Sequence, residues 1–143
     1  MEADRVLLVD DEVEFVETLA ERMRARGLDV QTANSGIDAL ARVTRKTFDA
    51  VVLDLAMPGM DGLQTLRRLL GGNPDLQVIL LTGRATLEHG LEAMRSGAME
   101  FFEKPPDIDR LIEKVTEARS RRERLSQDRM EKTLKDLLRT KGW

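Results

Sequence analysis

Residues 50–62 read AVVLDLAMPGMDG, a short apolar run that carries a carboxylate and then breaks into turn residues. A run of this length, Ala50–Leu55, rich in Val and Leu and closed by Pro58 and Gly59, fits a strand buried on both faces of a parallel sheet. Outward from it, Val6–Val9 and Val78–Leu81 have the same character. Leu28–Thr32 alternates instead (Leu28, Val30, Thr32), as a less buried edge strand does, and Met99–Phe102 makes a fifth run. Between the runs, apolar residues recur three and four apart: Phe15, Val16, Leu19, Met23; Ile37, Leu40, Val43; Leu63, Leu66, Leu69, Leu70; Leu87, Leu91, Met94; and Leu111, Ile112, Val115. Ser35 with Asp38 three residues on starts the second stripe in a capping-box pattern; Gly71–Gly72 and Gly97 end the third and fourth. Five strands alternating with five helices predict an α/β fold, a parallel sheet with right-handed crossovers and helices on both faces. Ligands of such sheets sit beyond the carboxyl ends of the strands.

Those ends carry one chemistry-bearing residue type each. The first strand runs into Asp10, Asp11 and Glu12; the third ends at Asp54; the fourth at Thr82 and Gly83; the fifth at Lys104 and Pro105. An aspartate at a strand end is often only a helix cap, a threonine there a turn residue, and a lysine a solvated charge. Asp54 follows Val51, Val52 and Leu53 in what should be a central strand, where an unpartnered carboxylate is costly. If the first and third strands are neighbours, Asp10, Asp11 and Asp54 converge, and like charges raise one another's pKa. A hard divalent cation relieves that repulsion, and Mg²⁺ suits few carboxylates, several waters and a phosphate oxygen. The set then has a reading as phosphoryl-transfer chemistry. Asp54 is the nucleophile that forms an acyl phosphate. Asp10 and Asp11 hold the metal, Lys104 adds a second cation, and the Thr82 hydroxyl donates to a phosphoryl oxygen.

The pieces LLVDDE (7–12), VVLDLAMPGMDG (51–62), VILLTG (78–83) and SGAMEFFEKP (96–105) together resemble the receiver domain of two-component response regulators, over roughly residues 4–118. The resemblance implies a flavodoxin-like, doubly wound five-stranded sheet in the order 2-1-3-4-5. It implies phosphorylation of Asp54 by a histidine kinase or histidine phosphotransfer protein, and Mg²⁺ held by Asp10, Asp11, Asp54 and the backbone carbonyl of Ala56. Lys104 becomes the phosphate-binding lysine, followed by a cis peptide at Pro105, and Thr82 and Phe101 the paired switch residues. Phe101 is often Tyr in relatives, so no phenolic hydroxyl is available here. Ala56 offers no polar side chain to orient a water, and Arg84 stands two residues beyond Thr82; both positions bear on how long the phosphate survives. His89, the only histidine, falls on the solvent side of its helix, and Met23, Met57, Met60, Met94 and Met99 read as core filling.

Composition is consistent with one domain and an appended segment. The chain has 143 residues, 41% hydrophobic and 34% charged, with net charge −3. No apolar run approaches the roughly 18 residues of a membrane span, and the acidic N-terminus does not read as a secretory signal. The lack of cysteine excludes disulfides and thiolate metal sites, and a cytoplasmic location is the default expectation. Residues 1–118 hold 14 Lys and Arg against 22 Asp and Glu, whereas residues 119–143 hold 9 against 4. The chain thus divides into an acidic body, 1–118, and a basic helical C-terminal extension, 119–143, read as having no output domain. A helix from about Ile108 to about Thr140 is roughly 50 Å long at 1.5 Å per residue, longer than the body, so RSRRER (119–124) is expected in solvent. Leu125, Met130, Leu134, Leu137 and Leu138 form an irregular apolar stripe, open to self-association as a homodimer, to docking on a downstream partner, or to fraying. Nucleic acid is disfavoured: a net +5 with one aromatic, Trp143, is a weak footprint, and no helix-turn-helix fits after residue 118.

Two other classes compete with a signalling switch. A phosphohydrolase using an aspartate nucleophile needs a second acid two residues on, where Ala56 stands. A receiver-like binding protein that never takes phosphate would have the same fold and fail to react.

Overall fold

The computed structural model describes residues 2–83 and 87–140, and for Leu87 the backbone only. Five strands and five helices alternate: β1 Arg5–Val9, α1 Val13–Ala25, β2 Asp29–Ala33, α2 Gly36–Arg45, β3 Ala50–Leu53, α3 Gly62–Gly72, β4 Val78–Thr82, α4 Leu87–Arg95, β5 Glu100–Glu103 and α5 Ile108–Thr140. The sheet is parallel throughout, in the order β2-β1-β3-β4-β5, as the resemblance implies, so β1 and β3 are neighbours. Because successive strand residues face opposite ways, the sheet feeds two cores. Val6, Leu8, Val52, Ile79 and Leu81 pack under α1 and α5. Leu7, Val9, Val51, Leu53, Val78 and Leu80 pack under α2, α3 and α4.

Local chemistry sets the helix starts. The Ser35 side chain accepts from Asp38 N–H at 3.1 Å, and Asp61 accepts from Gln64 N–H at 2.8 Å. Gly62 lies so close to the preceding loop that a Cβ there would strike the Asp54 and Leu55 backbone; only glycine lets α3 begin beside the end of β3. β3 stops at Leu53, which leaves Asp54 just beyond the strand.

Two expectations are corrected. Ile37, Leu91 and Met94 do not fill the core; they are 69%, 46% and 39% exposed. Small residues make the contacts instead: Gly36 and Ala39 are buried on α2 and Ala93 on α4, which turns the larger apolar side chains outward. Nor does the basic stretch stand wholly in solvent. α5 continues unbroken past Ala118, and Arg119 pairs with Asp4 at 3.1 Å, Arg122 with Asp49 at 2.6 Å, and Arg129 with Asp75 at 2.7 Å. Those aspartates precede β1, β3 and β4, so the helix passes beneath the amino-terminal rim of the sheet. Three residues of helix rise about 4.5 Å, close to the ~4.8 Å between adjacent strands, which lets Arg119 and Arg122 reach neighbouring strands from one helix face. Beyond this clasp Met130, Leu134, Leu137 and Leu138 are each more than half exposed.

Candidate functional site

The carboxyl-terminal rim is assembled by backbone register. Asp54 N–H donates to Val9 O at 3.0 Å, Asp10 N–H to Ala33 O at 3.1 Å, and Lys104 N–H to Thr82 O at 3.0 Å, so the ends of β2, β1 and β3 are tied together, as are those of β4 and β5. The side chains then converge. Lys104 Nζ lies 2.6 Å from Asp10 Oδ2, 3.1 Å from Asp54 Oδ2 and 3.2 Å from Glu12 Oε1, and the Lys104–Pro105 peptide is cis. Asp10 Oδ1 accepts the Glu12 N–H and Asp54 Oδ1 the Ala56 N–H, both at 2.9 Å. Asp10 and Asp54 are buried, 4% and 3% exposed.

The electrostatics are unbalanced. Carboxylate oxygens of Asp10, Glu12 and Asp54 all lie within 4.8 Å of one another and share a single ammonium. Burial, aided by the Asp54 charge, raises the Asp10 carboxyl above its ordinary value, although hydrogen bonds from Lys104 and the Glu12 N–H pull the other way. For Lys104, burial alone would lower the pKa, but the hydrogen bonds to Asp10 and Asp54 outweigh it and hold the ammonium charged well above its ordinary value. Thr82 is fully buried, and its Oγ1 has no hydrogen-bond partner among the described residues. A buried hydroxyl without a partner costs free energy, and this one belongs to the last residue of β4, whose carbonyl accepts the Lys104 N–H.

Of the residues singled out from sequence, Asp10, Asp54 and Lys104 are in direct contact and Thr82 adjoins Lys104 through the β4–β5 ladder. Asp11 is exposed and outside the group of three close carboxylates. Ala56 touches Asp54 through its N–H. Phe101 is half-buried against the α2–α4 core, and its ring borders Gly90, where a Cβ would lie 3.3 Å from Cε2. Arg84 lies outside the described residues. Two participants are not evident from sequence. Glu12 stands out there only as part of an acidic run, and its approach to Lys104 depends on a contact across 92 residues. Phe15 belongs to the apolar stripe of α1, yet its ring centroid is 4.5 Å from Lys104 Nζ.

The site fits a divalent cation and a phosphoryl group by its donor set: clustered hard oxygens with one cation between them, and an unused buried hydroxyl. A doubly wound α/β module with this acidic rim defines a class of phosphoacceptor. Comparison with known proteins makes the assignment specific. Residues 6–116 match the response regulator receiver domain, and the chain belongs to that family, the phosphoacceptor modules of two-component systems. It is 39% identical over 113 residues to the transcriptional regulatory protein ZraR of Salmonella typhimurium, an alignment covering 79% of this chain and 26% of that protein. The chain thus spans about a quarter of that relative's length. Among solved structures it resembles a CheY-like receiver domain protein from Methanospirillum hungatei, with TM-score 0.80, 26% identity, and coverage of 86% of this chain and 98% of the other. It also resembles a response regulator from Burkholderia pseudomallei described with a phosphorylated aspartic acid, a calcium ion and citrate, with TM-score 0.74, 26% identity, and coverage of 92% and 74%.

Proposed function

We propose that Asp54 is the residue phosphorylated, in a reaction assisted by Lys104, Thr82 and Mg²⁺, with a histidine kinase or histidine phosphotransfer protein as donor. An Asp54 carboxylate oxygen attacks phosphorus; the P–N bond to the donor imidazole breaks, its electron pair stays on that nitrogen, and a C–O–P linkage forms. Lys104, already 3.1 Å from Asp54, neutralises charge on the phosphoryl oxygens, and the Thr82 hydroxyl gains its missing acceptor. Asp10, Asp11, Asp54 and the Ala56 carbonyl are the ligands we assign to Mg²⁺, which supplies positive charge for the transferring group. The observation that carries the reading is the ammonium bridging two buried carboxylates at the ends of β1 and β3, next to a β4 end whose buried Thr82 hydroxyl has no partner among the described residues.

Movement of the Thr82 hydroxyl toward the phosphate, with Phe101 turning inward, is the switch that we propose a downstream partner reads; signalling requires that the partner bind the two states unequally. The protein acts as a regulatory phosphoacceptor in the cytoplasm and catalyses only its own phosphorylation and dephosphorylation. Ala56 leaves hydrolytic water without a side-chain guide, so the acyl phosphate is expected to be moderately long-lived, and a lifetime of seconds would count against this. We retain 1–118 as the receiver unit and 119–143 as its extension, whose exposed apolar residues are the surface for a partner protein or a second copy. Light scattering with and without a phosphoryl mimic tests the second copy. Nucleic acid is the weaker reading because Arg119, Arg122 and Arg129 are engaged with the body.

Incubation with Mg²⁺ and acetyl phosphate, followed by intact mass, is the decisive experiment. One phosphoryl group should add to the wild type and none to Asp54→Ala; an unreactive wild type under varied conditions supports the receiver-like binding protein instead.

A further inference from the structure

Lys104 sits on an open rim, yet its side chain is only 9% exposed. Asp10 and Asp54 cover one side of it. Phe15, in the first turn of α1, covers another, with its ring 4.5 Å from Nζ. The ring is held in place because Phe15 is half-buried and packs on the core layer beneath α1 and α5. It also divides two spaces. Inside is a water-sized void of about 10 Å³ that Phe15 lines together with Asp10 and Asp54. Outside is an open groove of about 210 Å³, bordered by Phe15, Thr18, Arg22, Pro105, Pro106 and Ile108.

We propose that Phe15 is a positioning residue for Lys104: its ring face attracts the ammonium and keeps groove water from it, holding Nζ beside Asp54. This rests on the phosphoacceptor reading of Asp54. The face of an aromatic ring is electron-rich and attracts a cation without using any of its N–H donors. The ammonium can therefore turn a hydrogen bond from Asp10 to an arriving phosphoryl oxygen while the ring contact persists. Contacts of this kind correspond to roughly 2- to 30-fold in a rate or equilibrium, and a half-buried ring lies near the middle of that range.

The test uses the full chain. In the wild type, NMR should show the Lys104 Cε protons shifted upfield by the ring current, and Phe15→Leu should return them to ordinary values. Phosphorylation by acetyl phosphate at saturating Mg²⁺ should slow about 5-fold in Phe15→Leu, with Phe15→Met as a second ringless variant if Leu disturbs folding. Phe15→Trp, which keeps a ring, should recover most of the rate and the upfield shift. A ringless variant reacting at the wild-type rate, equal slowing in the Leu and Trp variants, or ordinary Lys104 shifts in the wild type would each overturn the proposal. If the wild type accepts no phosphoryl group at all, the reading of Asp54 fails, and the ring-current shift alone then decides whether Phe15 holds Lys104.

Discussion

The two rims of the sheet carry similar residues and behave differently. At the amino-terminal rim three aspartates, Asp4, Asp49 and Asp75, meet three arginines of α5 one for one. At the carboxyl-terminal rim three carboxylates, Asp10, Glu12 and Asp54, share one lysine. The first is balanced in charge: every carboxylate has its own guanidinium, and Asp49 also accepts the Arg5 N–H at 2.8 Å, although Arg122 Nε is buried without a partner among the described residues. The second is left with excess negative charge and with a Thr82 hydroxyl that has no partner among the described residues. Matched charges fix a helix against the body. Unmatched charges leave a group that a cation from outside can balance, and the end proposed above to be reactive is the incomplete one.

The largest effect that would break this comparison is at the balanced rim. Arg122→Ala leaves the buried Asp49 carboxylate with only a backbone partner, and the loss of an ion pair's one arm at a buried site is strongly destabilising. Since Arg122 is 21% exposed, the expected loss is discounted to about 2–3 kcal/mol of unfolding free energy, read from urea denaturation. A loss below about 0.5 kcal/mol, within the range of ordinary surface substitutions, would mean the rim is not balanced there. At the open rim the sign should differ. Asp10→Asn removes one of the competing carboxylates and should be neutral or mildly stabilising without divalent cation. The wild type should gain about 1.4 kcal/mol at a Mg²⁺ concentration ten times Kd, a gain that Asp10→Asn largely loses. Thermal unfolding with and without Mg²⁺ measures both, and equal Mg²⁺ responses in the two proteins would show that Asp10 takes no part in binding it.

What could be read from sequence follows the same division. The buried strands, and Asp10 and Asp54 at their ends, are legible because a buried parallel strand leaves a continuous apolar run, and a charged residue that closes such a run stands out against it; the strand order and the place of Lys104, which follows Glu103 on the half-buried β5, come only from the family resemblance. The amino rim was not legible. Asp4, Asp49 and Asp75 look like ordinary turn residues, and their arginines lie 115, 73 and 54 positions away; no local pattern encodes a pairing set by sheet order and helix direction. Phe15 shows the same limit at the open rim, because a stripe of apolar residues on α1 reveals burial but not what the ring faces. Ile37, Leu91 and Met94 misled for a converse reason: glycine and alanine, which periodicity weighs lightly, made the contacts on α2 and α4.

The smallest expected effect is also the one that sharpens how far the clasp extends. Arg129 is 61% exposed, and exposed pairs contribute little and weaken with salt. The hydrogen bond from Arg129, reinforced by its charge and opposed by slight burial, nonetheless holds the Asp75 carboxyl below its ordinary 3.8. A carboxyl lowered on folding contributes stability above the unfolded value, and that contribution is lost as pH falls through the folded value. The difference in stability between the wild type and Arg129→Ala should therefore be present above pH 3.8, shrink in concentrated salt, and vanish on further acidification. Carbon-13 NMR of the Asp75 carboxyl should show its midpoint rise toward the ordinary value in the variant. Were that midpoint unmoved, α5 would be anchored at Asp4 and Asp49 only, and the last three turns of the helix would be directed by whatever binds their apolar face rather than by the sheet.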